Sequence, residues 1–236
     1  MEINSIIFNG INSLDCGLYV SGDKTFNSAE KDYEKVSVPG RSGDLLFFNN
    51  RFKNVTLNYD AIVIENYREN AEKIRNWLLS ANGYCRLEDT YHPDEYRMAC
   101  FEGPIEFESY MLSAGTTQLT FDCKPQRWLK SGEVPIGMST GNTRNIFNPT
   151  SFASKPLIRI YGTGSLKIGT GELKVLTAGS NYIDIDCDLM DCFEGSTNRN
   201  ANVLITSWPT LSSGNNIVVM DNSITKIEIT PRWWIL

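Results

Sequence analysis

The property that most constrains this chain is the period of its apolar residues, which is two over most of the length and helical over one short stretch. Val55, Leu57, Tyr59, Ala61 and Val63 alternate with Thr56, Asn58, Asp60 and Ile62. Leu119, Phe121 and Cys123 alternate with Thr120 and Asp122. Successive side chains of a strand point to opposite faces, so these segments predict strands with one buried face. Between Asn66 and Ser80, Tyr67, Ala71, Ile74 and Leu78 instead fall on one face of a helix. Asn66 and Glu69 have the spacing of a capping box, and Gly83 closes the segment a little beyond its end. The first half is therefore predicted to be β-rich, with one amphipathic helix over about residues 66–80.

Between Lys130 and Ser154 the alternation fades, and Gly132, Pro135, Gly137, Gly141, Asn142, Asn148 and Pro149 supply breaker residues. The pattern predicts a domain of residues 1–135, a linker of 136–154 and a second domain of 155–236. Short strand-like segments follow the linker, from Leu157–Tyr161 to Ile224–Ile229, with no helix signal among them. Gly162-Thr163-Gly164 and Gly169-Thr170-Gly171 read as hairpin turns. Short strands with tight turns predict a β-sandwich.

Composition narrows the classes further. In 236 residues, 22 basic side chains face 28 acidic ones, giving a net charge of −6, which argues against a nucleic-acid backbone as the main partner. Area scaling lets a chain of this size bury about 70% of its surface. Runs such as Leu45-Leu46-Phe47-Phe48 and Ile217-Val218-Val219-Met220 are strand-sized, so no membrane insertion is expected. The amino terminus lacks the pattern of a signal peptide, which suggests synthesis in a reducing cytoplasm. Cys16, Cys85, Cys100, Cys123, Cys187 and Cys192 contain no C-x-x-C and read as free core thiols.

Catalytic patterns are weak throughout. His92 is the sole histidine, stands beside Pro93-Asp94 and reads as a loop residue. Glu106 and Glu108 would share a strand face at about 7 Å, a spacing that exposed acids on one strand commonly have. Asp184, Asp186 and Asp188 resemble the start of a calcium loop, but Leu189 stands where that loop turns on Gly, so they read as carboxylates facing water. Cys187 and Cys192 make a poor zinc pair. Trp208, Trp233 and Trp234 could stack on sugar rings, or anchor a sandwich core. If Trp233 and Trp234 alternate along the last strand, one faces the core and the other faces out. No catalytic, cofactor-binding or metal-ligating residue is assigned, and no cofactor is expected.

The order of several short motifs resembles the distal tail proteins of long-tailed, non-contractile bacteriophages (siphophages) and related prophages. In the first half these motifs are Val38-Pro39-Gly40-Arg41-Ser42-Gly43-Asp44-Leu45, Trp77-Leu78, Gly83-Tyr84, Leu87-Glu88-Asp89 and Phe121-Asp122-Cys123-Lys124-Pro125-Gln126-Arg127-Trp128. In the second they are Asn148-Pro149-Thr150, Ile158-Arg159-Ile160-Tyr161-Gly162-Thr163-Gly164, Trp208-Pro209-x-Leu211-x-x-Gly214-x-Asn216 and Ile229-Thr230-Pro231-Arg232-Trp233-Trp234.

The resemblance implies a mainly β chain: an amino-terminal ring-forming domain with one helix, followed by a carboxy-terminal galectin-like β-sandwich. It implies a structural role without enzymatic activity, as a homo-hexameric hub at the distal end of the tail in the virion, assembled in the host cytoplasm. The expected partners are the major tail tube protein, the tape-measure protein and the tail-associated or receptor-binding proteins. Two other classes stay open. One is a carbohydrate-binding module for host cell-wall glycans, and the other is a tail-associated cell-wall hydrolase. The charged, Gly-containing Arg41-Ser42-Gly43-Asp44 suits an extended arm.

Overall fold

The computed structural model describes residues 3–22, 27–110, 113–141 and 143–236, with the Tyr110 side chain left aside. The chain forms two compact units: residues 1–127 with Leu236, and residues 128–235.

The first unit is built on an antiparallel sheet. Its strand order is Ile11–Asn12, Ile6–Phe8, Cys85–Asp89, Glu95–Cys100, Ala114–Leu129, Val55–Val63 and Leu18–Val20. The predicted alternation holds along Val55–Val63, where the odd-numbered residues are buried and the even-numbered ones are not. Leu119, Phe121 and Cys123 lie opposite Tyr59, Leu57 and Val55, so both strands turn the same face inward. Phe121 is fully buried, with Phe8, Phe101 and Tyr59 rings 5.1, 5.3 and 5.9 Å from its own. Edge-on aromatic pairs of this kind add about 0.5–1.5 kcal/mol beyond area burial.

The helix runs Tyr67–Ser80 and buries Ala71, Ile74, Trp77 and Leu78. The Trp77 indole N–H donates to the Phe8 carbonyl at 3.0 Å, tying the helix to the sheet. The predicted capping box does not form. Asn66 sits at φ 45 and ψ 38 and makes no side-chain cap, whereas a capping side chain needs an extended backbone. Asn70 ties the entry segment to the first turn without capping it, its backbone N–H donating to the Asn66 carbonyl and its side chain to the Glu65 carbonyl. Glu69 pairs with Lys73 at 2.8 Å instead.

The second unit is two antiparallel sheets around one core. One sheet runs Ile136–Ser139, Ile224–Thr230, Leu157–Gly162, Ile183–Asp186, Asp191–Glu194 and Thr197–Asn198. The other runs Arg144–Asn148, Gly214–Met220, Gly164–Ile168, Gly171–Val175 and Val203–Ser207. Ile158, Ile160, Ile183, Ile185 and Ile227 of the first sheet share the core with Leu166, Ile168, Leu173, Val175 and Val218 of the second.

Three readings of this half need correction. Residues 136–154 are not a linker, because Ile136–Ser139 and Arg144–Asn148 are the edge strands of the two sheets. Edge strands tolerate Gly and other breakers that a central strand would not. Gly132 also has a packing reason, since a Cβ there would meet the Trp233 backbone nitrogen at 2.3 Å. Gly162-Thr163-Gly164 is not a hairpin turn but a step between the two sheets; a Cβ on Gly162 would lie 2.8 Å from the Ser223 carbonyl oxygen.

The third correction concerns the acidic strand. Asp184 and Asp186 are both only 4% exposed, because arginines cover the face that was expected to be wet. Arg159 grips Asp184 with bonds of 2.7 and 2.8 Å, and Arg232 grips Asp186 with two of 2.8 Å. Burial alone would raise the Asp186 carboxyl. The Arg232 bonds and the N–H groups of Leu189 and Asp188 outweigh it and hold the carboxyl below its usual value. Asp188 is exposed and pairs with Lys155.

Trp233 is buried in the second core and lies just before the short strand Trp234–Ile235 rather than within it, while Trp234 is half-exposed. All six cysteines are free thiols, and burial pushes Cys187 up to about 12 and Cys192 to about 11.

Three outcomes follow from this packing. Urea titration of Trp233→Ala should show a loss of about 3–5 kcal/mol. Asp186 titrates below its unfolded value, so its contribution is complete above about pH 4 and disappears as pH falls through the folded value. Melting curves of the wild type and Asp186→Asn should therefore differ at neutral pH and converge in acid. Thiol titration of anaerobically purified, denatured protein should find six thiols, and mass mapping of the native protein should find Cys85 and Cys100 labelled before the buried four.

Candidate functional site

One element stands outside both sheets of the second unit and the large sheet of the first. Among the described residues Lys31–Val36 and Leu45–Phe52 pair only with each other, as a two-stranded ribbon. Beyond Val36 the ribbon makes a tight turn. Pro39 and Gly40 occupy the central positions of a turn closed by the Arg41 N–H on the Val38 carbonyl, with Gly40 at φ 79. That is the geometry in which Pro presets the first residue and Gly alone fits the second.

The register decides which side chains share a face. Tyr33 lies opposite Phe48 and Lys35 opposite Leu46, on one face. Glu34 lies opposite Phe47 and Val36 opposite Leu45, on the other. Four consecutive apolar residues, Leu45 to Phe48, therefore put large side chains on both sides. Leu46 is 59% exposed, Phe47 53% and Phe48 41%. Tyr33 and Phe48 hold each other at 5.2 Å, with the Lys31 ammonium 5.8 Å from the Phe48 ring centre. Arg51 bonds Asp32 at 2.6 Å and holds its carboxyl below the usual range. An isolated two-stranded ribbon is marginal in water, and exposed apolar faces mark contact surfaces. The run of four apolar residues was the signal for this surface; its significance depends on the pairing, which places it outside both cores of the described residues.

The other prominent surface is a groove of about 1030 Å³ in the first unit, lined by Asp60, Ile62, Pro104, Glu106, Glu108 and Gln118 among others. Alternation sends Asp60 and Ile62 outward from their strand, beside Gln118 and Thr116 of the neighbouring one. Gln118 donates to Asp60 at 2.7 Å. Glu106 and Glu108 are both exposed here.

The remaining residues singled out from the sequence lie apart. His92 is in the turn after Asp89, its backbone N–H and its ring Nδ1 2.9 and 3.2 Å from one Asp89 oxygen. The other Asp89 oxygen accepts from the buried Tyr59 hydroxyl at 2.7 Å. Trp208 packs against the second core, and Trp234 stacks on Phe152 at 4.4 Å while its N–H donates to the Ala153 carbonyl. Asn148 and Asn216, from the motifs of the second half, are buried and hydrogen-bonded to loop carbonyls: Asn148 to Phe152 and Leu211, and Asn216 to Ser212 and Gly214. Among the described residues no group of three or more His, Cys, Asp or Glu side chains could hold a metal ion, and no helix is long and apolar enough to cross a membrane.

Comparison with known proteins gives matches of two kinds. Residues 11–123 match the family model described as the phage tail protein RIFT-related domain. The whole chain is similar in fold to the crystal structure of the Dit protein of phage SPP1, described as a paradigm of the hub adsorption apparatus in phages infecting Gram-positive bacteria. That likeness has a TM-score of 0.76 at 14% identity and covers 100% of both chains. No curated protein matches by sequence. The family match over residues 11–123 and the fold likeness over the whole chain point the same way as the motifs read from the sequence.

Proposed function

We propose that this chain is a structural hub protein at the tip of a siphophage tail, which closes into a homo-hexameric ring through its ribbon. The observation that carries the reading is the ribbon with large apolar side chains exposed on both faces. A cyclic ring needs two different patches on each subunit, because every contact is head to tail. A projecting ribbon supplies one patch and leaves the rest of the first unit for the other. The phage tail domain over residues 11–123 contains the ribbon, and the fold likeness is to a hub protein; both support the placement.

In this reading the first unit forms the ring, continuing the tail tube and lying beside the tape-measure protein. The second unit is a galectin-like sandwich that projects toward the tail-associated and receptor-binding proteins. The protein is not an enzyme, works at the distal end of the tail in the virion, and is assembled in the host cytoplasm.

Light scattering and negative-stain imaging of the full-length chain test this. A six-fold ring is expected at high concentration. Leu46→Ser/Phe47→Ser/Phe48→Ser should leave a folded monomer, because neither hydrophobic core includes any of the three side chains. Rings that survive this triple change, or a wild type that never assembles, would contradict the reading.

A further inference from the structure

The ribbon's two faces differ in charge. Lys31 and Lys35 lie on the face of Tyr33, Leu46 and Phe48, with the Lys31 ammonium near the Phe48 ring. Lys35 has no ion-pair partner among the described residues, and no carboxylate is paired across this face. The opposite face carries Glu34 beside Phe47, Val36 and Leu45.

The groove has the complementary character. Three carboxylates, Asp60, Glu106 and Glu108, line it together with Ile62, Ala61 and Pro104, and no basic side chain is among its described lining residues. Neither Glu106 nor Glu108 is ion-paired among the described residues. At about 1030 Å³ the groove is at the upper limit of small-molecule sites, and it is open rather than enclosed. Its floor is the outward face of two paired strands, a shape suited to a flat ribbon whose strands are about 4.8 Å apart.

We propose that the groove is the second ring patch: it receives the Lys31, Tyr33, Lys35, Leu46 and Phe48 face of the ribbon of the next copy of this chain. The inference rests on the ring reading above and adds its receptor. The lysines meet the carboxylates at the rim, while Leu46 and Phe48 cover Ile62 and Pro104. Rim charges of this kind set register and exclude wrong pairings, and their effect weakens with salt. The opposite ribbon face, with Glu34, cannot dock here without setting like charges together.

Charge exchange in the full-length chain is the test. Lys31→Glu/Lys35→Glu and Glu106→Lys/Glu108→Lys should each raise the concentration for half-assembly by about tenfold or more, and the four changes combined should recover most of the loss. Thermal melting checks that each variant is folded. Glu106→Gln/Glu108→Gln, which is milder, should weaken assembly in the same direction and reduce its salt dependence. The groove assignment is overturned if the lysine reversals impair assembly while the glutamate changes, in both forms, leave it at wild-type level. In that outcome the ribbon still builds the ring but docks elsewhere. If neither pair matters and the Leu46, Phe47 and Phe48 variant also assembles normally, the ring reading itself fails and the groove assignment falls with it.

Discussion

A sheet hides apolar side chains only against a second layer, and the ribbon of Lys31–Val36 and Leu45–Phe52 leaves Leu46 and Phe47 more than half exposed. Both units meet this requirement internally elsewhere. The first packs its helix through Ile74, Trp77 and Leu78 onto a sheet centred on Phe121, and the second closes two sheets on each other. Neither core takes in Leu46, Phe47 or Phe48. Stability and assembly thus draw on different residues, so exposed side chains can serve a contact without weakening the fold that presents them.

The same separation fits the part that the motif residues play. Asn148 and Asn216 are buried anchors for loops, Arg159 and Arg232 cover buried aspartates, and Gly132 and Gly162 stand where another backbone comes close. A buried ion pair is weak evidence for added stability, but removing one partner leaves a buried charge uncompensated and costs about 3–5 kcal/mol. Such residues are needed for the sandwich itself, whatever it touches.

Much of this was legible from side-chain period. The alternation of Val55–Val63 and the apolar face of Tyr67–Ser80 depend on local geometry that the sequence states directly. What was not legible depends on distant residues. Asp184 and Asp186 read as solvated because the arginines that cover them are 25 and 46 positions away. The strands within residues 136–154 looked like a linker because their partners, Ile224–Thr230 and Gly214–Met220, come far later in the chain. Asn66 failed as a cap because two consecutive residues, Glu65 and Asn66, adopt positive φ, which residue identity does not encode. The ribbon lay between these cases: its apolar run was visible, while its isolation from both cores emerged only from the pairing.

Amide hydrogen exchange on the full-length protein, followed by mass spectrometry across a range of concentrations, tests the central claim most directly. A two-stranded ribbon without a second layer opens readily, whereas a docked one is protected. The account predicts that peptides spanning residues 31–52 exchange fast in dilute protein and become protected as rings form. Peptides of the two cores, around Phe121 and Ile185, should stay protected throughout. Ribbon amides whose exchange is the same in monomer and assembly would contradict the account.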